Sequence, residues 1–240
     1  MKTIKYILGL LFFVIINACN NDDDANSLRI EYEKTFIENT FLETGETPAP
    51  IVNWLEEKGS FTATSMLGSK GDDLVGRVVF IDEETGVLSW NRSFPIGERD
   101  IYITAANSSQ TATVTITIKN TFTEGFFVGG FNNDTSEEPD ISTIMNDTFL
   151  ILSKEGNVAL SSSSENDVSF IGTGTWIADD SNITINYTIS NMPGENLTMT
   201  GYLNGSTSLP AASFIGQWGK GLNQDNTIES AMGLFSFEND

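Results

Sequence analysis

Three kinds of side chain in this sequence have the type and spacing to do chemistry. They are aromatic residues on short alternating segments, acidic residues gathered in turns, and one cysteine, Cys19. Trp176, Tyr187 and Trp218 could line a ligand pocket, because aromatic faces stack on sugars and other flat apolar ligands. The plainer account is that all three fill a core, and the alternation around them favours it. Tyr202 falls on the opposite face of its segment and is the better surface platform. Asn132-Asn133-Asp134, Asp179-Asp180 and Asp72-Asp73 offer oxygen atoms at the close spacing calcium requires, but none has the D-x-D-x-D-G order of a loop site. They read as charged turns. Two carboxylates across a cleft would suit a glycosidase, yet with 33 acidic residues some pair always exists. The chain has no histidine, which excludes Ser-His-Asp and Cys-His triads, His zinc sites and a His proton shuttle. The expectation is a chain that is not an enzyme and carries no cofactor and no metal.

Strands must position these residues. From Leu28 onward the chain runs in short segments rich in Val, Ile, Thr and Phe, broken by Gly, Asn, Asp and Pro. The one exception expected is a turn of helix within 51–58, at Trp54-Leu55-Glu56-Glu57. Arg77 to Ile81 reads as a strand, and Asp82 to Gly86 as a turn with glycine at a positive φ. Leu88 and Trp90 then share the inner face of the next strand. After a boundary expected at Lys119-Asn120-Thr121, eight strands follow in series: 126–131, 148–152, 157–161, 168–176, 182–190, 197–203, 213–219 and 232–238. Period two separates their faces. Phe170, Gly172, Gly174 and Trp176 point one way, as do Ile183, Ile185, Tyr187 and Ile189. Leu197, Met199, Gly201 and Leu203 join them, with Phe214, Gly216 and Trp218. Thr173, Thr175, Thr184, Asn186, Thr188, Thr198, Thr200, Tyr202 and Gln217 point the other way. The fold class expected is all-β, with an antiparallel meander of about eight strands that closes as a barrel or a curled sheet.

Two resemblances sharpen the fold. Asp82, Thr85, Gly86, Leu88, Ser89, Trp90, Pro95, Gly97, Ile103, Thr104, Ala105 and Asn107, followed by the alternating Thr111 to Ile118, resemble the repeat of bacterial immunoglobulin-like or cadherin-like domains. Arg99-Asp100 departs from the usual Thr-Tyr. The resemblance covers residues 28–119 and implies an N-terminal β-sandwich serving as spacer or binding module. Gly172-Thr173-Gly174-Thr175-Trp176 and Gly216-Gln217-Trp218-Gly219 are similar to strands of lipocalin-like or avidin-like barrels, which implies a barrel-like domain over 120–240.

The first 24 residues bear on location. Lys2 and Lys5 precede an apolar run from Tyr6 to Ile16, and Ile16-Asn17-Ala18-Cys19 ends it. About 11 apolar residues are too few to span a bilayer, which takes roughly 20, but they suit a secretory signal. The cysteine at the junction resembles a bacterial lipoprotein lipobox, which implies a signal peptide over 1–18, lipidation of Cys19 and an acidic tether over 19–27. The acidic run after Cys19 resembles the surface-export signal of lipoproteins in the Bacteroidota. Eight Asn-x-Ser/Thr sequons occur, at Asn91, Asn107, Asn133, Asn146, Asn182, Asn186, Asn196 and Asn204; a lipobox implies a bacterial cell, and they read as a by-product of Asn/Thr-rich turns.

Net charge is −21, and losing Lys2 and Lys5 with the signal would make it −23. So acidic a chain repels phosphate backbones, which argues against nucleic-acid partners. The function expected is that of an outer-membrane, cell-surface lipoprotein, anchored through lipid on Cys19, that presents a ligand-binding domain on a spacer. Its expected ligand is a glycan. The alternatives are an adhesive protein–protein module and a carrier of a small apolar ligand in a lipocalin-like cavity.

Overall fold

The computed structural model describes residues 27–65, 74–136, 140–144, 147–164 and 167–239. Cys19, the tether and Asp72-Asp73 lie outside them. The chain is all-β. Among the described residues nine strands precede the barrel: β1 (Arg29–Glu31), β2 (Phe36–Thr40), β3 (Gly45–Glu46), β4 (Ile51–Asn53), β5 (Ser60–Ser65), β6 (Val79–Ile81), β7 (Leu88–Trp90), β8 (Gly97–Ala106) and β9 (Thr111–Thr121). They form a four-stranded sheet ordered β2-β9-β8-β5, a three-stranded sheet β3-β7-β6 and the pair β1-β4. Phe61, Val79, Leu88, Trp90, Ile101, Ile103, Ile116 and Ile118, drawn from both larger sheets, make one buried cluster. The turn between β6 and β7 has Gly86 at φ +73°. The Asp82 carboxylate accepts from the Glu84 and Thr85 amides at 2.9 and 2.8 Å, and the Tyr32 hydroxyl donates to the Gly86 carbonyl.

The helical turn expected at 54–57 does not form. Ile51–Asn53 is strand β4 instead, and Leu55 sits at φ +58°, a conformation no α-helix contains. Pairing of β4 with β1 outweighs the helix propensity of Leu55-Glu56-Glu57.

Eight antiparallel strands close the barrel in chain order: β10 (Gly125–Phe131), β11 (Thr148–Leu152), β12 (Asn157–Ser164), β13 (Asp167–Asp179), β14 (Asn182–Ile189), β15 (Leu197–Gly205), β16 (Ala212–Leu222) and β17 (Ile228–Asn239). Pairing of β10 with β17 shuts the ring, so no edge is left to template aggregation. The expected inner face is inside: Ile183, Ile185, Leu197, Met199 and Phe214 have no exposed surface. On the expected outer face, Thr184, Thr198 and Thr200 are nonetheless buried. Threonines paired across β14 and β15 cover one another, and Thr198 and Thr200 donate to the amide oxygens of Asn186 and Asn182 at 3.0 and 3.4 Å.

The barrel's two ends differ. The hairpins at 153–156, 180–181 and 206–211 meet the N-terminal sheets, because β9 leads through only Phe122-Thr123-Glu124 into β10. Phe41, Ile96 and Phe122 from the N-terminal part share one hydrophobic cluster with the barrel interior. Asp180 faces Arg99 at 3.5 Å, and Gly205 lies so close to the Arg92 carbonyl that a Cβ would sit 2.6 Å from it. This end is plugged. The other end carries the segment after β10, the 190–196 loop and the 223–227 turn.

Candidate functional site

Two of the four aromatic residues singled out by sequence come together, at the far mouth. Tyr187, on β14, and Trp218, on β16, line a cavity of about 390 Å³ with Phe131, Asn133, Leu160, Ile171, Ile189, Ser190 and Asn191. Trp176 is at the plugged end. Its indole Nε1 donates to the Ser153 carbonyl at 2.9 Å, and its ring lies 5.2 Å from Phe122. It closes the barrel there. Tyr202 is exposed on the outer face of β15, opposite Asn182 and Ile215, away from the mouth.

Two β-bulges shape the cavity. Leu160 pairs with Gly172 but Ser161 pairs with Phe170, which leaves Ile171 as an extra residue on β13. A bulge re-aims the side chains beside it, and Ile171 forms part of the cavity wall. Strict alternation over 168–176 turns Ile171 away from the face of Gly172 and is corrected at that residue; the Phe170 side chain, expected on the inner face, lies outside the described residues. Across the barrel, Trp218 pairs with Gly233 and Gly219 with Ala231, so Met232 is extra on β17.

Asn132 fixes the rim. Its backbone N–H donates to the Leu234 carbonyl at 3.0 Å, and its side-chain oxygen accepts from the Leu234 amide at 2.9 Å. Its side-chain NH₂ donates to the Asp140 carbonyl and the Thr143 hydroxyl, both at 3.0 Å. Its carbonyl accepts the Trp218 indole N–H at 2.9 Å, which locks that ring against Phe131, 5.6 Å away and edge-on. Gly233 permits this approach: a Cβ there would lie 1.9 Å from the Asn132 carbonyl oxygen. Sequence suggested Asn132 only as a possible calcium ligand; nothing in the local pattern marks a residue whose partners lie on β16 and β17. On the opposite rim the Ser190 amide donates to the Ile171 carbonyl at 2.8 Å, and Lys220 holds Glu195 at 2.6 Å.

The lining has one buried polar side chain, Tyr187. Leu160 is fully buried and Tyr187 is 4 % exposed, yet the Tyr187 hydroxyl has no hydrogen-bond partner among the described residues and is not sealed from solvent. Burial pushes its phenol well above the usual tyrosine range, so it stays neutral and can both donate and accept. Among the described residues no charged side chain lines the cavity.

The acidic loops are occupied with their own turns. The Asp134 carboxylate accepts from the Asp140 amide at 2.8 Å and the Ser136 amide at 3.0 Å, and these bonds hold it below the ordinary aspartate range. Asp140 accepts from Ser142 at 2.8 Å. Asp180 faces Arg99. Among the described residues no group of three or more Cys, Asp or Glu side chains is arranged to hold a metal ion.

No protein-family model matches the chain, and no curated protein matches it. Three solved structures align with it at low similarity. A quinonprotein alcohol dehydrogenase-like protein from Bacteroides thetaiotaomicron is 9 % identical, with 85 % of this chain and 72 % of that one covered and a TM-score of 0.28. A DUF4784 family protein from Bacteroides caccae is 8 % identical, covering 85 % and 84 %, with a TM-score of 0.24. A protein of unknown function from Bacteroides thetaiotaomicron is 10 % identical, covering 78 % and 59 %, with a TM-score of 0.23. Likeness at this level carries no argument about activity.

Proposed function

We propose that the chain is a non-enzymatic, surface-exposed lipoprotein of the bacterial outer membrane, held by lipid on Cys19, whose barrel binds a ligand in its far mouth. The N-terminal sheets act as an immunoglobulin-like spacer. The observation that carries this reading is the placement of the cavity at the end of the barrel away from those sheets. A tether and spacer on the plugged side leave the mouth facing outward.

Between the ligands considered, the wall favours the small-ligand carrier over the glycan platform. A sugar ring is fringed with hydroxyls, and each one buried without a partner costs about 1–3 kcal/mol. Leu160, Ile171, Ile189 and Phe131 offer such hydroxyls nothing, and the amides of Asn133 and Asn191 and the hydroxyl of Ser190 lie past the ends of β10 and β14, at the rim rather than on the barrel wall. Two measurements test the reading. Protease shaving of intact cells should remove the barrel while a periplasmic control survives. A ligand panel of oligosaccharides and neutral hydrophobes should show binding that Asn191→Trp, which fills the rim, abolishes. If the chain resists shaving and no panel member binds better than to Asn191→Trp, the proposal fails.

A further inference from the structure

We infer that the mouth cavity takes a neutral, largely apolar ligand of one or two fused or linked rings, carrying a single hydrogen-bonding group that meets the Tyr187 hydroxyl. The inference rests on the mouth being the binding site and names the class of its ligand. Four observations point the same way. The cavity volume, about 390 Å³, lies at the small end of the range for ligand sites. The deep wall of Leu160, Ile171 and Ile189 is aliphatic, while Phe131 and Trp218 supply aromatic faces set edge-on to one another. Among the described residues the lining holds no cation or carboxylate to pair an ionic group, and the net charge of −21 disfavours anions further. Finally, the Tyr187 hydroxyl belongs to a side chain more than nine-tenths buried and has no partner among the described residues. Buried polar groups in folded proteins are nearly always satisfied, so a ligand or water must complete this one.

Trp218 also makes the cavity rigid. Its indole N–H is taken by the Asn132 carbonyl, so it offers a ligand its ring and not a donor. That leaves Tyr187 as the one polar side chain among the described barrel-strand residues that line the cavity. Binding selectivity should therefore show as a preference among rings of one shape that differ by a hydroxyl or an N–H.

The test uses residues 20–240, which hold every described strand and omit the lipid that would itself compete for an apolar site. The first probe is N-phenyl-1-naphthylamine, a neutral dye that brightens in apolar surroundings. Its sulfonated relative 8-anilinonaphthalene-1-sulfonate has the same ring system with a negative charge. The neutral dye should bind one to one and at least tenfold tighter than the sulfonate, and Ile189→Trp should abolish its binding. Should Ile189→Trp fail to fold, Asn191→Trp at the exposed rim gives the same block. 1-Naphthol should displace the dye better than naphthalene does, and Tyr187→Phe should erase roughly three- to tenfold of that advantage. Equal binding of neutral dye and sulfonate overturns the ligand class. An unchanged naphthol preference in Tyr187→Phe overturns the role of the hydroxyl. If instead an oligosaccharide binds and is blocked by Asn191→Trp while the neutral dye does not bind, the mouth remains the site and its class is wrong. If neither binds, both readings fall.

Discussion

Asn132 commits all four of its polar groups to the mouth, and none of these bonds can be replaced locally, since their partners come from β16, β17 and the segment after β10. Asn132→Ala keeps the backbone bonds but loses four made by the side chain, the fourth being the Asp134 amide donating to its oxygen at 3.2 Å. At about 0.5–1.5 kcal/mol each, the expected loss is about 2–3 kcal/mol in urea or thermal unfolding; a change under about 0.5 would show that the rim does not depend on it. Gly233→Ala should be at least as damaging, because its new methyl would meet the Asn132 carbonyl and the backbone there must shift. Tyr187→Phe should do the opposite. Its hydroxyl gives the folded protein no bond to lose, so stability should stay within about 0.5 kcal/mol or rise. Asp134 adds a pH signature. Its carboxyl is held below the normal range by the Asp140 and Ser136 amides, so its contribution is present above the ordinary carboxylate pKa, about 3.9. It is lost as pH falls through the lower folded value. The melting temperature of Asp134→Asn should thus lie furthest below wild type near neutrality and converge with it in acid; a gap that persists at pH 2 would show another cause.

At the scale of strands, all eight barrel segments were legible because alternation on a half-buried face leaves a period-two trace in sequence. Ile183-x-Ile185-x-Tyr187-x-Ile189 could be read directly, and so could the positive φ of Gly86. Three things could not be. The bulges at Ile171 and Met232 each precede a glycine, Gly172 and Gly233, but glycine recurs along these strands and so does not single them out. Leu55 follows β4, whose pairing with β1 is decided by residues 20 or more positions away. The fates of Trp176 and Trp218, one plugging an end and one lining a cavity, depend on which loops crowd each end, and no local pattern carries that. Alternation told inside from outside but not hollow from full. The bulges make a prediction of their own. Deleting Met232 would bring β17 into regular register with β16 and turn the residues before Gly233 to the opposite face, so the cavity should be lost while the remaining strands pair. Retained binding of the neutral dye by that deletion would show that the bulge does not shape the site.

At the scale of the molecule, the three-residue connection Phe122-Thr123-Glu124 and the shared cluster of Phe41, Ile96, Phe122 and Trp176 bind the N-terminal sheets to the barrel. Phe122→Ala removes the ring that caps Trp176 and should cost about 3–5 kcal/mol, with thermal unfolding splitting into two transitions as the halves lose their common core. A single transition at the wild-type midpoint would show that the halves are not coupled there. Cys19→Ser tests the anchor: the variant should leave the membrane fraction, and unchanged fractionation would remove the basis for surface placement. The plug has a kinetic meaning as well. A barrel stoppered at one end has a single doorway, so an entering ligand and the departing water must pass each other in it. Exchange of one ligand for another then cannot proceed by push-through; the first must leave before the second enters. The observed exchange rate should therefore level off at the intrinsic release rate however much competitor is added.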